Sequence, residues 1–165
     1  MSAAQMIEMI ELLAARDPDS TVFRGGQSAW TARAVLDEIS AVSQRLAGAH
    51  VLAILADNSP DWAMADLAAL RVGVPVLPLP PFFTPPQLAH ALAQTGADRV
   101  VTDQPERILA LGMGFEISGT RRGLSWLCRD VAPVALPAGT AKISFTSGST
   151  GAPKGVCLSA DGLID

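Results

Sequence analysis

Lysine, cysteine and long apolar runs are all scarce in this sequence of 165 residues. Only two of its 12 basic residues are lysines, Lys142 and Lys154, and the formal net charge is -4. Because nucleic-acid-binding proteins usually carry a basic patch, the sequence predicts no nucleic-acid partner. The two cysteines, Cys128 and Cys157, provide neither a disulfide framework nor metal-ligand spacing. We therefore expect no protein-held metal, two buried structural thiols and a reduced, cytoplasmic setting.

No segment has the length or composition of a membrane anchor. The longest apolar run, 51–56, is far shorter than the roughly 20 residues that cross a bilayer. Residues 1–16 contain Glu8 and Glu11 and lack the positive start of a signal peptide. Apolar residues nevertheless make up 49% of the chain, with a mean hydropathy of +0.32. The sequence thus predicts a protein with a packed core and no transmembrane segment.

The middle of the chain alternates strand-like and helix-like segments. Residues 50–56 form a continuous apolar run without alternation, which is typical of a strand buried on both faces. Ser59, Pro60 and Asp61 then give a cap, a proline at the first helical position and an early acid, which together predict a helix start. The predicted order is strand 50–56, helix 59–73, strand 74–79, helix 84–96 and strand 99–102. This alternation predicts an α/β fold with a mostly parallel sheet flanked by helices.

The flanking segments predict further elements around that sheet. They are a helix over 1–16, two short strands ending near Trp30, a helix from Thr31 to a C-cap at Gly48, possible strands at 115–117 and 124–128, and a strand over 141–145. Several other residues are interpreted as structural. His50 and His90 are expected in the core or at the surface, Trp62 and Trp126 in the core, and 80–83 in a packed loop. Arg121 and Arg122 are expected in a solvated turn, with an acidic partner as the alternative.

Residues 146–156 combine small, hydroxylated and glycine residues with one lysine. Three glycines permit positive φ angles and a close approach of the backbone to a ligand. Successive backbone N–H groups can then form an anion-binding concavity. Four hydroxyls add neutral donors, and the ammonium of Lys154 suits a polyphosphate. Together, these residues predict a phosphate-binding loop.

The composition of this loop also suits a solvated turn or one of the better-known nucleotide-binding patterns. Runs rich in Gly, Ser and Thr are most often solvated turns, but this run lies between two apolar strands, 143–145 and 156–158. The Walker A pattern fails because Pro153 stands five residues after Gly148, where the second glycine is required. The dinucleotide fingerprint also fails, because Gly148 is not followed by a glycine two residues later.

Residues 145–156, Phe-Thr-Ser-Gly-Ser-Thr-Gly-Ala-Pro-Lys-Gly-Val, closely resemble the signature of the adenylate-forming, or AMP-binding, superfamily. That superfamily includes acyl-CoA synthetases, luciferases and the adenylation domains of peptide synthetases. Upstream segments are similar to other elements of the family in the same order: 30–39, 58–62, 67–79 and 84–102. The resemblance implies the first part of the large N-terminal domain of an adenylate-forming ligase.

The resemblance also implies a site and a reaction. The loop would cradle the phosphates of ATP while a carboxylate, expected to be that of a fatty acid, attacks the α-phosphate. Coenzyme A or a carrier-protein phosphopantetheine would then accept the acyl group, and Mg²⁺ would accompany ATP. The implied cofactor-binding residues are Thr146, Ser147, Gly148, Ser149, Thr150, Gly151 and Lys154. No catalytic residue is assigned.

The sequence departs from the family pattern after the loop. Residues 159–162 lack the histidine that the family usually has there, and the sequence ends at Asp165 before the family's later motifs. We therefore expect residues 1–165 to be a partial AMP-binding domain, truncated shortly after the loop at 146–155, without the C-terminal domain. Such a chain is expected to be inactive alone, so pyrophosphate release from ATP with a panel of carboxylic acids should not exceed the blank. The alternative is a non-catalytic remnant or a phosphate-binding or interaction module.

Overall fold

The structure, a computed structural model, describes residues 3–25, 28–146 and 153–160. The helices in these ranges are α1 (Ala3–Arg16), α2 (Ala32–Arg45), α3 (Pro60–Val72), α4 (Pro85–Thr95) and α5 (Pro105–Leu109). The strands are β1 (Thr21–Gly25), β2 (Ser28–Thr31), β3 (Leu52–Leu55), β4 (Val76–Pro78), β5 (Arg99–Thr102), β6 (Glu116–Arg121), β7 (Leu124–Cys128), β8 (Thr140–Thr146) and β9 (Lys154–Ser159). No helix in the described ranges is long and apolar enough to cross a bilayer.

Seven of these strands form one sheet in the order β6-β7-β5-β3-β4-β8-β9. The four central strands, β5, β3, β4 and β8, are parallel, whereas β7 and β9 run antiparallel to their neighbours. The helices α3 and α4 make the crossovers between the parallel strands β3, β4 and β5. The predicted α/β fold with a mostly parallel sheet is confirmed. Strands β1 and β2 form a separate antiparallel pair.

Helices cover both faces of the sheet because its central strands are apolar on both sides. Along β3, Ile54 packs into one hydrophobic cluster with α1, α2 and α3, while Leu55 packs into a second cluster with α4 and α5. Strand β5 divides its side chains in the same way, with Val101 in the first cluster and Val100 in the second. Side chains of a strand alternate between faces, so an unbroken apolar run fills two cores at once.

The helices α3 and α4 begin where their capping residues predict. The Ser59 hydroxyl accepts a hydrogen bond from the Trp62 N–H at 3.1 Å, and Pro60 occupies the first turn. In the capping box of α4, the Thr84 N–H donates to the Gln87 side chain at 2.9 Å. Each contact satisfies a backbone group that the helix start would otherwise leave without a partner.

Several predicted boundaries differ from the structure, and two of these differences have a local cause. Helix α2 ends at Arg45 with its C-cap at Leu46, and Gly48 adopts its φ of 75° in the turn beyond. Leu46 is almost completely buried, which holds the end of the helix against the core. Strand β4 begins at Val76 and not at Val74, because the Val74 N–H closes the end of α3 by donating to the Ala69 carbonyl at 2.9 Å.

Arg121 and Arg122 stand at the turn between β6 and β7, as predicted, but they are not merely solvated, because both pair with acidic side chains, as the alternative expectation had it. Arg121 donates two hydrogen bonds of 2.6 Å to the buried carboxylate of Glu38, and this bonding raises the pKa of the arginine. Arg122 bonds Asp61 at 2.9 Å and stacks 3.8 Å from the ring centre of Trp30. The hairpin of β6 and β7 is therefore held against α2 through Arg121 and against α3 through Arg122.

The predicted burial of single side chains is confirmed only in part. Trp126 is buried in the first hydrophobic cluster, and Trp62 packs against that cluster while half-buried. The two cysteines, Cys128 and Cys157, are free and half-buried, so the expectation of buried thiols is met only in part. Cys128 lies in β7, the second strand from one margin of the sheet, and Cys157 lies in β9, at the other margin.

Candidate functional site

The predicted phosphate loop connects the two strands of the β8–β9 hairpin. These strands are antiparallel, and Thr146 and Lys154 are the last paired residues before the connection. Strand β8 is parallel to β4, so the connection leaves β8 at the carboxyl edge of the parallel strands. Open α/β sheets place their ligand sites at this edge.

The hairpin brings the two described ends of the predicted site together. Thr146 and Lys154 are register partners although they stand eight positions apart in the sequence. The other predicted cofactor-binding residues, Ser147, Gly148, Ser149, Thr150 and Gly151, lie outside the described residues. The convergence of their N–H groups and hydroxyls on one phosphate position stays a prediction.

Lys154 is the exposed lysine of the chain. Its side chain makes no ion pair with any residue in the described ranges. Lys142, by contrast, donates to Asp66 at 3.0 Å and lies 5.6 Å from the ring centre of Trp62. The ammonium of Lys142 is already neutralised by a carboxylate, whereas that of Lys154 is available to an anionic ligand.

The side chains of β8 alternate between the two faces of the sheet. Ile143 and Phe145 pack into the cluster beneath α4, and Lys142 reaches α3 on the opposite face. Phe145 lies directly across from Gly155 in the register, and a Cβ atom added at Gly155 would stand 3.0 Å from the Phe145 ring. Only glycine at position 155 lets the ring cover the backbone beside Lys154 without displacement.

His90, which the sequence interpretation left as an isolated histidine, contacts the hairpin. It projects from α4, and its Nε2 atom is 3.1 Å from the carbonyl oxygen of Pro153, the residue that precedes Lys154. Its ring also meets Phe145 edge to face, with 6.2 Å between the ring centres. Sequence reasoning missed this contact because 63 residues separate the two partners. Proximity of this kind arises only from the fold.

Metal-ligating side chains do not gather at this hairpin or elsewhere in the described ranges. No group of three or more His, Cys, Asp or Glu side chains there could hold a metal ion. Mg²⁺ usually retains several waters and is held by one or two carboxylates together with substrate phosphates.

Comparison with known proteins identifies the family. The family model described as AMP-binding enzyme matches residues 10–165, and the chain belongs to this family. The matched range includes the β8–β9 hairpin and its connecting loop. The resemblance drawn from the sequence motifs is thereby confirmed.

Relatives at moderate identity include ligases and peptide synthetases. The 4-coumarate–CoA ligase 5 of Oryza sativa subsp. japonica is 31% identical over 150 residues, which cover 77% of this chain and 28% of the ligase. A polyketide synthase-nonribosomal peptide synthetase of Phaeosphaeria nodorum is 28% identical over 161 residues, which cover 93% of this chain and 4% of the synthetase. The chain thus spans less than a third of the length of these relatives.

Solved structures share the fold. The N-terminal subdomain of NpsA from Klebsiella oxytoca, in complex with 3-hydroxyanthranilyl-AMSN, has a TM-score of 0.64 at 22% identity, over 97% of this chain and 41% of that one. The o-succinylbenzoate coenzyme A synthetase of Bacillus subtilis, in complex with AMP, has a TM-score of 0.63 at 18% identity, over 91% of this chain and 41% of that one. At such identities the likeness concerns the fold alone.

Proposed function

We propose that this chain supplies the ATP-phosphate-binding part of an enzyme that activates a carboxylic acid as its adenylate. The observation that carries the proposal is the exposed Lys154, unpaired within the described ranges, at the end of a Gly/Ser/Thr-rich connection on the carboxyl edge of the parallel strands. Membership in the AMP-binding enzyme family supports the same nucleotide.

The proposed reaction is a substitution at the α-phosphorus of ATP. A carboxylate oxygen forms the new bond to this phosphorus, the bond to the bridging oxygen of the β-phosphate breaks, and pyrophosphate leaves with the electron pair. The loop stabilises the charge that grows on the leaving group, which is how enzymes mainly assist phosphoryl-type transfer. A thiol then attacks the acyl carbon and releases AMP.

Each residue of the loop has a proposed role in holding the phosphates. The backbone N–H groups around Gly148 and Gly151 form the anion-binding concavity, and the hydroxyls of the neighbouring residues donate to phosphate oxygens. The ammonium of Lys154 pairs with the β- or γ-phosphate as a mobile point charge. Mg²⁺, bound to the same phosphates, would neutralise further charge.

The proposal extends to the identity of the carboxylic acid and of the thiol that accepts the acyl group. We propose a fatty acid or another carboxylic acid of similar size, with coenzyme A or a carrier-protein phosphopantetheine as the acceptor. The name of the rice relative contains coenzyme A, and one structural neighbour is an artificially fused adenylation–PCP di-domain. These names support both acceptors, and the peptide synthetases among the relatives support amino acids as competing substrates.

Calorimetric titration of the chain with MgATP tests the phosphate-binding role. In Lys154→Ala, loss of a charge-assisted hydrogen bond worth about 1.5–3 kcal/mol should weaken binding by about 10-fold to 150-fold. Lys142→Ala is the matched control, because it removes the other lysine, which already pairs with Asp66. The control should bind MgATP as the unaltered chain does.

Two results would contradict the proposed function. One is no detectable MgATP binding by the folded, unaltered chain at millimolar nucleotide. The other is an equal loss of affinity in Lys154→Ala and Lys142→Ala, since this would reflect general charge and not a specific contact at the hairpin.

A further inference from the structure

We propose that His90 is a positioning residue for the phosphate site: its hydrogen bond to the Pro153 carbonyl holds the strand end that presents Lys154. The expected effect of His90 on ATP binding rests on the proposed function. The hydrogen bond from His90 to Pro153 is a feature of the structure and does not depend on that function. His90 belongs to α4, outside the loop, and contacts the hairpin from the side of the second hydrophobic cluster.

The direction of the hydrogen bond follows from the chemistry of its two atoms. A proline carbonyl oxygen can only accept, so the Nε2 atom of His90 must carry the proton in this contact. A neutral imidazole has one N–H, and this bond therefore selects the Nε2–H tautomer. Protonation of the ring adds a proton at Nδ1 and leaves the donor at Nε2 in place. The contact is consequently compatible with both charge states of the ring.

Several packing contacts make the strand end rigid around this bond. Pro153 is buried, and its ring fixes its own φ angle next to Lys154. The ring of Phe145 lies between His90 and Gly155, edge to face with the former and against the bare Cα of the latter. A displacement of Pro153 would therefore move the next residue, Lys154, as well.

The position of His90 on α4 indicates that it is not simply a core residue. The core face of α4 is formed by Leu88, Ala91 and Leu92, all fully buried, whereas His90 is half-buried at the flank. An apolar residue at the flank could fill the same space, but it could not donate to Pro153. The hydrogen bond to Pro153 is therefore the property that a histidine has at this position and an apolar residue lacks.

Two substitutions at position 90 separate the hydrogen bond from the packing. His90→Phe keeps an aromatic ring against Phe145 but removes the donor. His90→Gln removes the ring but places an amide donor near the position of Nε2. If the bond positions Lys154, His90→Phe should weaken MgATP binding by about threefold to tenfold, and His90→Gln should stay within about twofold of the unaltered chain, as expected for one neutral hydrogen bond.

His50 provides the matched histidine control. It precedes β3, at the edge of the parallel strands opposite to the loop, and its Nδ1 atom lies 3.9 Å from an Asp98 oxygen. His50→Gln should leave the affinity for MgATP unchanged, even if it lowers the midpoint of thermal unfolding. A purely structural role for His90 would instead change the unfolding midpoint in His90→Phe with no change in affinity.

A measurement without any ligand tests the bond directly. Nitrogen-15 NMR of the imidazole should show the Nε2–H tautomer for His90, and the amide of Lys154 should exchange with solvent several-fold faster in His90→Phe than in His90→Gln. An Nδ1–H tautomer, or equal exchange in the two variants, would overturn the inference whether or not ATP binds.

The outcomes distinguish this inference from the proposed function. If the unaltered chain binds MgATP, Lys154→Ala does not, and His90→Phe binds normally, then the role of His90 is wrong and the proposed function stands. If the unaltered chain does not bind MgATP, the proposed function fails, and with it the positioning role that His90 was given.

Discussion

Single residues around the β8–β9 hairpin connect the fold to the proposed chemistry. Lys154 offers a charge that no described carboxylate neutralises, whereas Lys142, on the strand beside it, is held by Asp66. Gly155, next to Lys154, allows the Phe145 ring to approach the backbone closely, since an added Cβ atom would stand 3.0 Å from that ring. The same short segment therefore contains a group free to bind an anion and a closely packed backbone position.

Substitution of Gly155 tests this close approach. In Gly155→Ala the new methyl group would stand 3.0 Å from the Phe145 ring, so we expect a loss of about 1–3 kcal/mol in the free energy of unfolding, as for other overpacked sites. Urea denaturation measures this change. The double variant Gly155→Ala with Phe145→Leu should lose less stability than the sum of the two single losses, because the smaller side chain at position 145 removes the clash. Strict additivity of the two substitutions would contradict the steric explanation.

At the scale of helices and strands, most starts and ends are determined by local sequence. The helices α3 and α4 both begin at a hydroxyl residue followed by proline, and both end at a glycine in the left-handed region. Such signals act over a single turn, which explains why they could be predicted without knowledge of the fold. Strand β3 was predictable for a different reason, since burial on both faces removes the usual alternation.

The cap of α3 can be tested by substitution of Ser59. Its hydroxyl accepts the Trp62 N–H at 3.1 Å, so Ser59→Ala should lower the free energy of unfolding by about 1 kcal/mol. Ser59→Asp retains an accepting oxygen and adds a favourable charge at the helix start, and it should keep the stability of the original chain. Thermal or urea unfolding of the three proteins gives the comparison. Equal stability of the alanine and aspartate variants would argue against the cap.

The features that sequence reasoning missed are contacts between distant elements. Arg121 and Glu38 are 83 residues apart, and His90 and Pro153 are 63 residues apart. From the sequence alone, a basic pair in a turn is expected to be solvated. Only the folded chain brings the buried carboxylate of Glu38 next to Arg121. The chemical character of the candidate site could be predicted from its residue types, because glycine, hydroxyl and ammonium groups suit phosphates wherever they stand. The contact between His90 of α4 and the hairpin could not be predicted from the residue types.

On the scale of the whole molecule, the layered arrangement explains the location of the candidate site. Helices cover both faces of the sheet, so the edges of the parallel strands remain as the places where a ligand can reach the backbone. The β8–β9 connection stands at the carboxyl edge, and His50 and Asp98 stand at the opposite one. The two solved structures described above share this fold at TM-scores above 0.6.

Amide NMR spectra of the chain during titration with MgATP test the central claim most directly, because they report on each backbone N–H separately. The account predicts that the largest saturable shifts fall on residues 147–151 and on Lys154 and Gly155. It also predicts that these shifts weaken in Lys154→Ala and persist in Lys142→Ala. Saturable shifts confined to other parts of the molecule, with the amides of 147–155 unmoved, would contradict it.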